Sequence, residues 1–404
     1  MSDSVTVRFL DRTTAPHVST LIFVAGLSAL AMNIFLPSLN DMAEYFDADY
    51  GLLQLSVALY LAVNAGLQML IGPISDRFGR RPIILGGCLI FLLATLGCLF
   101  ATSAFTFLAF RMCQSCVAVA MVLSRAAVRD MYTADKAASM IGYVTMGMAV
   151  VPMIGPVIGG LLGQAFGWHA SFWLLFVLGV LTVGLVYLDF GETAKKSTKS
   201  LVAQFRDYPE LLTSPRFWGY SLACGFSSGS FFAYLGGAPF VGNEVYGLNP
   251  AQLGLSFGAP AIGYFSGNFV TARFAVRYGI NRMVFWGSLI ICLGVALALL
   301  LSTIGIDSAL TFFGCMILVG LGNGMCIPNA TAGALSVRPH LAGTASGLSG
   351  AIMLGGGAAL SALAGAMLTP GSGASPLLWI MLGTSALGFA SILLVIFRER
   401  QLGL

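Results

Sequence analysis

The chain has 404 residues, of which 57% are hydrophobic and 9% are charged, with a mean hydropathy of +0.89 and a formal net charge of +4. Water cannot solvate a folded surface of that composition, so a soluble globular domain is excluded. The sequence contains no phosphate-binding loop, no zinc motif and no Ser-His-Asp arrangement. We therefore expect no enzyme, no cofactor, no resident metal and no ATP-driven pump.

Twelve apolar stretches follow one another along the chain, each of about 20 residues, the length that an α-helix needs to cross a bilayer core. The first stretch follows a polar N-terminal segment and is too long for the core of a signal peptide, so we expect no cleavable signal. The pattern predicts an all-α integral membrane protein. The predicted spans are 17–40, 52–71, 82–101, 104–128, 138–163, 168–188, 216–240, 252–272, 283–302, 309–331, 341–367 and 376–397.

Charged residues are distributed unevenly between the two ends of these spans. If the N-terminus is cytoplasmic, almost every lysine and arginine falls in a cytoplasmic loop, whereas outer loops carry only acids such as Asp41, Glu44 and Glu244. This positive-inside pattern predicts a multi-pass protein of a bacterial inner membrane with both termini in the cytoplasm. The net positive charge then reflects insertion into the lipid bilayer. We expect no nucleic-acid partner, and a monomer.

The polar segment 189–215 is the one long cytoplasmic connection, and it divides the spans into six plus six. We predict an N-terminal bundle at 1–188, a cytoplasmic linker at 189–215 and a C-terminal bundle at 216–404. The basic run 195–199 is interpreted as a solvated linker, with attraction to anionic lipid as the alternative. The charged turn at 72–81, between the second and third spans, recurs weakly at 272–282, as expected of a duplicated membrane bundle.

Polar residues within the first four spans are candidates for a substrate cavity, because small-ligand sites are mostly apolar with a few placed polar groups. Asn33 lies in the first span, and Tyr60 and Asn64 share one face of the second because four residues separate them. Arg111, with Gln114 beside it, is the only charge deep within the N-terminal half. A buried arginine marks a water-filled cavity, a partner or a substrate group; pairing with carbonyls or with a polar cluster of Gln114 and Asn33 is the alternative.

The C-terminal half supplies further cavity candidates, each with an interhelical hydrogen bond as its alternative role. They are Tyr234 in the seventh span, Tyr264 and Asn268 in the eighth, and Asn323 and Asn329 in the tenth. All eight cysteines fall within the predicted spans, so no disulfide framework is expected. Cys113 and Cys116 have the spacing of a metal-ligand pair, but no second pair accompanies them. We interpret them as packing residues, with a copper carrier as the alternative.

Several motifs of the chain resemble those of the major facilitator superfamily. The turn at 72–81 is similar to its loop signature, and Arg111 with Gln114 resembles its third motif, although Ser115 stands where a glycine is usual. Finer features resemble the bicyclomycin/chloramphenicol-resistance (Bcr/CflA) branch of drug:proton antiporters. These features are 35–39 (Phe-Leu-Pro-Ser-Leu), 128–132 (Val-Arg-Asp-Met-Tyr), 167–173, 238–241 and 339–346. The resemblance implies the major facilitator fold, with twelve transmembrane helices in two six-helix bundles.

The resemblance also implies a conformational latch at the turn. Asp76, at the end of the second span, faces the start of the eleventh, where a carboxylate meets a positive helix end and free backbone N–H groups. Arg80 and Asp130 complete a charge network in the outward-open state. The alternative is a topological anchor with no part in switching. The latch residues are Gly72, Asp76, Arg77, Gly79, Arg80 and Asp130.

The fifth span resembles the antiporter motif of the superfamily. Its prolines remove helix donors, and its glycines permit close packing, so we expect a kinked, tightly packed contact between the two halves that limits leakage. Ordinary glycine-rich helix packing is the alternative. The motif residues are Gly147, Pro152, Gly155, Pro156, Gly159 and Gly160.

One departure from the family pattern bears on the mechanism. Relatives of the Bcr type carry an aspartate four residues before the proline of the first span, and here that residue is Asn33, which cannot titrate. The resemblance predicts a proton-coupled exporter of small amphipathic compounds or drugs that works by alternating access. Asn33 together with Arg111 leaves a first alternative open, a carrier of organic anions or metabolites that is not coupled through a buried carboxylate. Such a carrier could be an importer. A transporter-like ligand sensor is the second alternative.

Overall fold

The computed structural model describes residues 7–131, 151, 154–194, 208–338 and 341–403, and within these ranges every regular element is a helix. The first group of helices is α1 Val18–Asn33, α2 Leu39–Tyr45, α3 Tyr50–Phe78, α4 Arg80–Leu99, α5 Ala104–Gln114, α6 Ala118–Met131, α7 Ile154–Phe166 and α8 His169–Asp189. The second group is α9 Tyr208–Leu212, α10 Pro215–Phe240, α11 Pro250–Ser256, α12 Gly258–Tyr278, α13 Ile280–Thr303, α14 Ala309–Ser336, α15 Ala342–Met367 and α16 Ser375–Leu402. Short 3₁₀ turns at Leu36–Ser38 and Ser115–Val117 join α1 to α2 and α5 to α6.

Within the described residues, nine helical segments are long and apolar enough to cross a membrane. The seventh and eighth predicted spans form α10 and α12, which are long helices of lower hydropathy, and the fifth span is described only from Ile154. The eighth span is not one continuous helix from its start, because α11 ends at Ser256 and α12 begins at Gly258. The last helix extends to Leu402, beyond the predicted end of the twelfth span.

Equivalent turns in the two groups have the same local chemistry. Gly79 ends α3 with φ +98° and Gly279 ends α12 with φ +82°, a left-handed backbone that favours glycine, so each chain reverses sharply into the next helix. At the other end of the molecule, Ser103 begins α5 and Ser308 begins α14, each in a capping box with a threonine three residues later. We call the end with Gly79 and Gly279 the basic end, and the end with Ser103 and Ser308 the opposite end.

The apolar core is organised differently at these two ends. At the opposite end one continuous cluster joins both groups of helices, and it includes Phe35 and Phe172 from the first group and Tyr234 and Phe312 from the second. At the basic end each group has a separate cluster. Because close side-chain packing holds helices together in a bilayer, this continuous cluster indicates that the molecule is closed at the opposite end.

Candidate functional site

Arg111 lies at the centre of the candidate site, on the last turn of α5. Its side chain is 1% exposed, and its guanidinium carbon lies 4.4 Å from the ring centre of Phe35 and 4.3 Å from that of Tyr60. One terminal nitrogen donates to the carbonyl of Ala31 at 2.7 Å, and the other donates to Gln114 Oε1. Two aromatic faces and two acceptors therefore stabilise a charge that has no carboxylate partner among the described residues.

A short hydrogen-bonded chain fixes the position of this arginine. Gln114 Nε2 donates to Thr95 Oγ1 at 2.8 Å, and Thr95 in turn donates to the carbonyl of Phe91 at 2.7 Å. These bonds connect α5 with α4, while the bond to Ala31 connects α5 with α1. A buried network of this kind gives the guanidinium a single orientation, since moving it would leave several polar groups without partners.

Three buried polar side-chain atoms on α1, α3 and α5 have no hydrogen-bond partner among the described residues. They are Asn33 Oδ1, the Tyr60 hydroxyl and Arg111 Nε, and each belongs to a side chain that is 1% exposed. Leaving such a group unpaired costs about 1–3 kcal/mol, so these atoms can bind a polar ligand favourably. Asn64, on the same helix as Tyr60, accepts a 3.4 Å bond from Gln68.

The C-terminal candidates fall into two classes. Tyr234 and Asn323 are buried, and within the described ranges the Tyr234 hydroxyl and both polar side-chain atoms of Asn323 have no hydrogen-bond partner. Asn268 and Asn329 instead donate to carbonyls of their own helices, at 2.8 Å and 2.7 Å. Tyr264 is half-buried. Only Tyr234 and Asn323 therefore have buried polar atoms free to bind a ligand.

Tyr234 lies in an aromatic cluster near the opposite end. Its ring stacks on Phe231 with a centroid distance of 6.0 Å and meets Phe257 edge-on at 5.3 Å. Phe312 and Phe313 complete the cluster, each with a ring centre 6.3 Å from that of Tyr234. An apolar aromatic wall with one unpaired hydroxyl is suited to an amphipathic ligand.

At the opposite end Gln54 of α3 is inserted between two helices of the second group. Gln54 is fully buried, and its Nε2 donates to Ser361 Oγ at 2.7 Å and to the Ser361 carbonyl. Gly236 of α10 and Gly365 of α15 provide the space for it, since a methyl group at either position would overlap the Gln54 side chain. Tyr50, one turn earlier, donates to the Gly236 carbonyl at 2.6 Å. These contacts connect the two groups of helices where the molecule is closed.

At the basic end the turn at Gly79 is held by acids of its own group of helices. Arg80 Nε forms a 3.2 Å ion pair with Asp130 at the end of α6, and an Arg80 terminal nitrogen donates to Ser75. Glu192, just after α8, accepts from the backbone N–H of Arg80 at 2.8 Å. Its second oxygen accepts from the next backbone N–H, at 3.3 Å. The carboxylate therefore caps the N-terminus of α4, where the helix dipole favours negative charge.

Arg77, another predicted latch residue, lies on the surface. Arg77 is exposed, and its guanidinium carbon lies 5.6 Å from the ring centre of Phe78. The side chains of Gly72 and Asp76 lie outside the described part of the structure.

Two acids that sequence reasoning did not select act in the same region. Glu192 is the first, and Asp189 is the second: it is fully buried and accepts backbone hydrogen bonds from Leu10 at 2.6 Å and His17 at 2.9 Å. Their position in the sequence could have identified them. Both acids lie at the end of the molecule where most charges are basic, and an acid there is expected to bind a nearby basic side chain or backbone N–H group.

The C-terminal half has an equivalent cluster with different chemistry. Glu399 near the end of α16 pairs with Arg216 at 2.6 Å and accepts from the Tyr220 hydroxyl at 3.0 Å. Asn281, two residues after Gly279, receives a 2.6 Å bond from Tyr220 and donates to Glu399. Asn281 thus occupies the place of Arg81 and connects the turn to an acid at the end of the last helix of its half.

The described part of the fifth-span motif lies where α7 crosses α1 and α11. A methyl group at Gly159 would overlap the carbonyl of Ile34, and one at Gly160 would overlap that of Pro250. Gly155 lies close to the side chain of Leu30. A methyl group at Gly254 of α11 would overlap the carbonyl of Pro156. Glycine is therefore required where α7 crosses α1 of its own group and where it crosses α11 of the second group. Gly147 and Pro152 lie outside the described residues.

Helices long enough to cross a membrane pack around a buried polar site, which is the arrangement of an integral membrane protein with a ligand-sized polar centre. The sequence model of the Major Facilitator Superfamily matches residues 21–362, so the chain belongs to that superfamily. The expected fold is confirmed, and with it the prediction of a multi-pass transporter that is not an enzyme.

Three known proteins illustrate the similarity. The "Uncharacterized MFS-type transporter YdgK" of Bacillus subtilis is 32% identical over 91% of this chain and 93% of its own length. The "Bicyclomycin resistance protein homolog" of Haemophilus influenzae is 29% identical over 90% of this chain and 93% of its own length. The crystal structure of a bacterial homolog of the human lysosomal transporter Spinster, inward-facing and occupied, superposes with a TM-score of 0.72 at 17% identity, covering 95% of this chain and 96% of that one. The resemblance to the bicyclomycin-resistance branch is confirmed.

Proposed function

We propose that this transporter exports small amphipathic compounds from the cytoplasm by alternating access, in exchange for protons. The observation that carries the proposal is the buried Arg111 site, where a fixed guanidinium, two aromatic rings and unpaired polar atoms lie together. Drug-sized ligands are bound by apolar walls with a few oriented polar groups, which is the composition of this site. A relative of similar length carries the name of a bicyclomycin resistance protein homolog, which fits export of such compounds.

The moving units of this proposal are residues 1–188 and 216–404, joined by the linker 189–215. The basic end faces the cytoplasm, because positively charged loops are retained on that side of a membrane. The contacts of Gln54 and Tyr50 keep the opposite end closed, and the Arg80–Asp130 pair with Glu192 holds the basic-end turn of the first half. Transport requires the first set of contacts to break while the site opens to the outside.

A second function is favoured by the chemistry around Arg111. Asn33 is neutral, and the guanidinium has no carboxylate partner among the described residues, so an anionic substrate gains a charge-assisted hydrogen bond there. A carrier of organic anions or metabolites would need no proton exchange at this site.

Counterflow in proteoliposomes distinguishes the two functions. The panel contains lipophilic cations, neutral antibiotics and organic anions, each measured with and without a pH gradient. Export of amphipathic drugs predicts flux of neutral or cationic compounds that the pH gradient accelerates. Flux restricted to anions and unaffected by the gradient would replace the proposal with the anion carrier, and binding without flux would favour a ligand sensor.

Two substitutions at the site test the role of its charge. Asn33→Asp adds a carboxylate on α1 two residues from Ala31, whose carbonyl accepts from Arg111, so we expect weaker transport of anions and a stronger dependence of cation flux on the pH gradient. Asn268→Asp is the matched control, since it adds the same charge at a half-buried amide that bonds its own helix. Equal effects of the two substitutions would contradict the assignment of the site to Arg111 and Asn33.

A further inference from the structure

A groove opens at the basic end of the C-terminal half, between α12 and α13. Its volume is about 270 Å³. The two helices separate from the turn at Gly279 because each packs closely on α14, through Gly267 and Gly287, instead of on the other. Met325 of α14 contributes to the lining, and the other lining residues are Val270, Phe274, Tyr278, Arg282, Met283 and Trp286.

Three arginines belong to the turn and helix ends that form this groove. Arg282 lines it, and Arg273 and Arg277 each lie one position before a lining residue of α12. All three are exposed, and none has an acidic partner in the described ranges. Arg277 lies over the ring of Tyr278, with its guanidinium carbon 5.5 Å from the ring centre.

The equivalent turn of the N-terminal half is different, because Asp130 and Glu192 bind its arginine side chain and backbone. In the C-terminal half, Val276 stands at the sequence position of Asp76, and it is 100% exposed. The duplicated turn has therefore kept its positive charge and has no acid of its own. The positive charge of this surface attracts an anionic ligand.

The groove also has the shape and polarity of a lipid-facing surface. Tyr278 and Trp286 are 45% and 54% exposed, and such residues are enriched where a membrane protein meets the headgroup region. Val270 lies nine residues before Gly279, so at 1.5 Å per helical residue the groove runs roughly 13 Å from the turn toward the bilayer centre. Phe265 and Phe269, further along α12, are also apolar and more than half exposed.

We propose that this groove binds one anionic phospholipid. Its phosphate lies among Arg273, Arg277 and Arg282, and one acyl chain lies along the apolar lining as far as Met325. Basic pockets between transmembrane helices are suited to anionic headgroups, and arginine donates to phosphate in a bidentate geometry. A soluble peptide would have to leave water to reach the inner part of the groove, which favours a lipid as the occupant.

Native mass spectrometry of the purified full chain tests this assignment. Phosphatidylglycerol and phosphatidylcholine with identical acyl chains are titrated separately, and the occupancy of the first bound lipid is measured. We expect a preference for phosphatidylglycerol that Arg282→Gln lowers about fivefold, since each basic residue near a membrane surface contributes about 1 kcal/mol. Arg282→Lys should keep most of the preference, and removal of all three arginines should abolish it.

The control is Arg398→Gln, which removes an exposed arginine at the same end but on α16, where the side chain bonds Gln401 at 3.1 Å. Trp286→Ala should weaken the binding of both lipids to the same extent, because it removes part of the apolar wall of the groove but no charge. The proposal is overturned if Arg398→Gln lowers phosphatidylglycerol binding as much as Arg282→Gln does. It is also overturned if the wild-type protein binds the two lipids equally.

Discussion

Replacing Gly365 with alanine is expected to open the end of the molecule where the two groups of helices meet. The added methyl group would occupy the space of the Gln54 side chain, which is enclosed by Gly236, Ser361 and Gly365 and has no exposed surface. Gln54 cannot then keep both of its hydrogen bonds to Ser361. The substitution therefore raises the free energy of the closed conformation. It does not change the free energy of an open conformation, in which α3 and α15 have separated.

The size of the effect follows from these contacts. Loss of one or two hydrogen bonds costs about 1 kcal/mol each, and overpacking a buried site costs about 1–3 kcal/mol. The greater helix propensity of alanine applies to both conformations and so cancels from their equilibrium. A net shift of about 3 kcal/mol changes the ratio of closed to open molecules roughly a hundredfold.

Hydrogen–deuterium exchange in nanodiscs measures this shift without labels. We expect faster exchange in peptides from the start of α3 and the end of α15, where Gln54 and Gly365 lie. Gly356→Ala is the matched control on the same helix, because its methyl group would meet no atom within 4 Å. The double variant Gln54→Ala/Gly365→Ala removes the overlap and should exchange like Gln54→Ala alone. Equal exchange in Gly365→Ala and Gly356→Ala would refute the reasoning.

Two further predictions concern the basic end. Both Gly79→Ala and Gly279→Ala force alanine into a left-handed backbone, at about 1–2 kcal/mol, but only the methyl group at position 79 meets a neighbour, the Glu192 carboxylate. Thermal unfolding in detergent should therefore show a larger loss for Gly79→Ala, and equal losses would contradict the capping role of Glu192. Glu399→Gln leaves Arg216 partly buried without its charge partner and should lower the free energy of unfolding by up to about 3 kcal/mol. Adding Arg216→Gln to the same chain should recover much of that loss. If the double variant shows no recovery, loss of the ion pair is not the cause.

Much of the fold was predictable from the sequence because membrane insertion depends on local composition. Each span must be apolar over a bilayer thickness, and positive charge stays on one side, so the spans and the duplicated turn are visible without tertiary contacts. The predicted span boundaries were less accurate where a helix is interrupted, as at the break between α11 and α12.

The candidate site was predictable only in part. Arg111 was found because a charge deep in an apolar span is rare and costly. The choice among amides was weaker, since the sequence does not distinguish Asn268, which bonds its own helix, from Asn323, whose polar atoms are unpaired. Whether these residues contact a substrate stays a prediction.

Composition and periodicity by themselves indicated the class and the spans, the resemblance of several motifs indicated the superfamily, and the burial of a charge in an apolar span selected Arg111 as a candidate site residue. Tertiary structure alone decided which groups meet: the rings of Phe35 and Tyr60 on the guanidinium, and Glu192 on the turn at Gly79. It also decided that the arginines near Gly279 have no acid in the described ranges. The physical reason is distance along the chain, because Glu192 lies 112 residues from Arg80 and a local pattern carries no information about such a pairing.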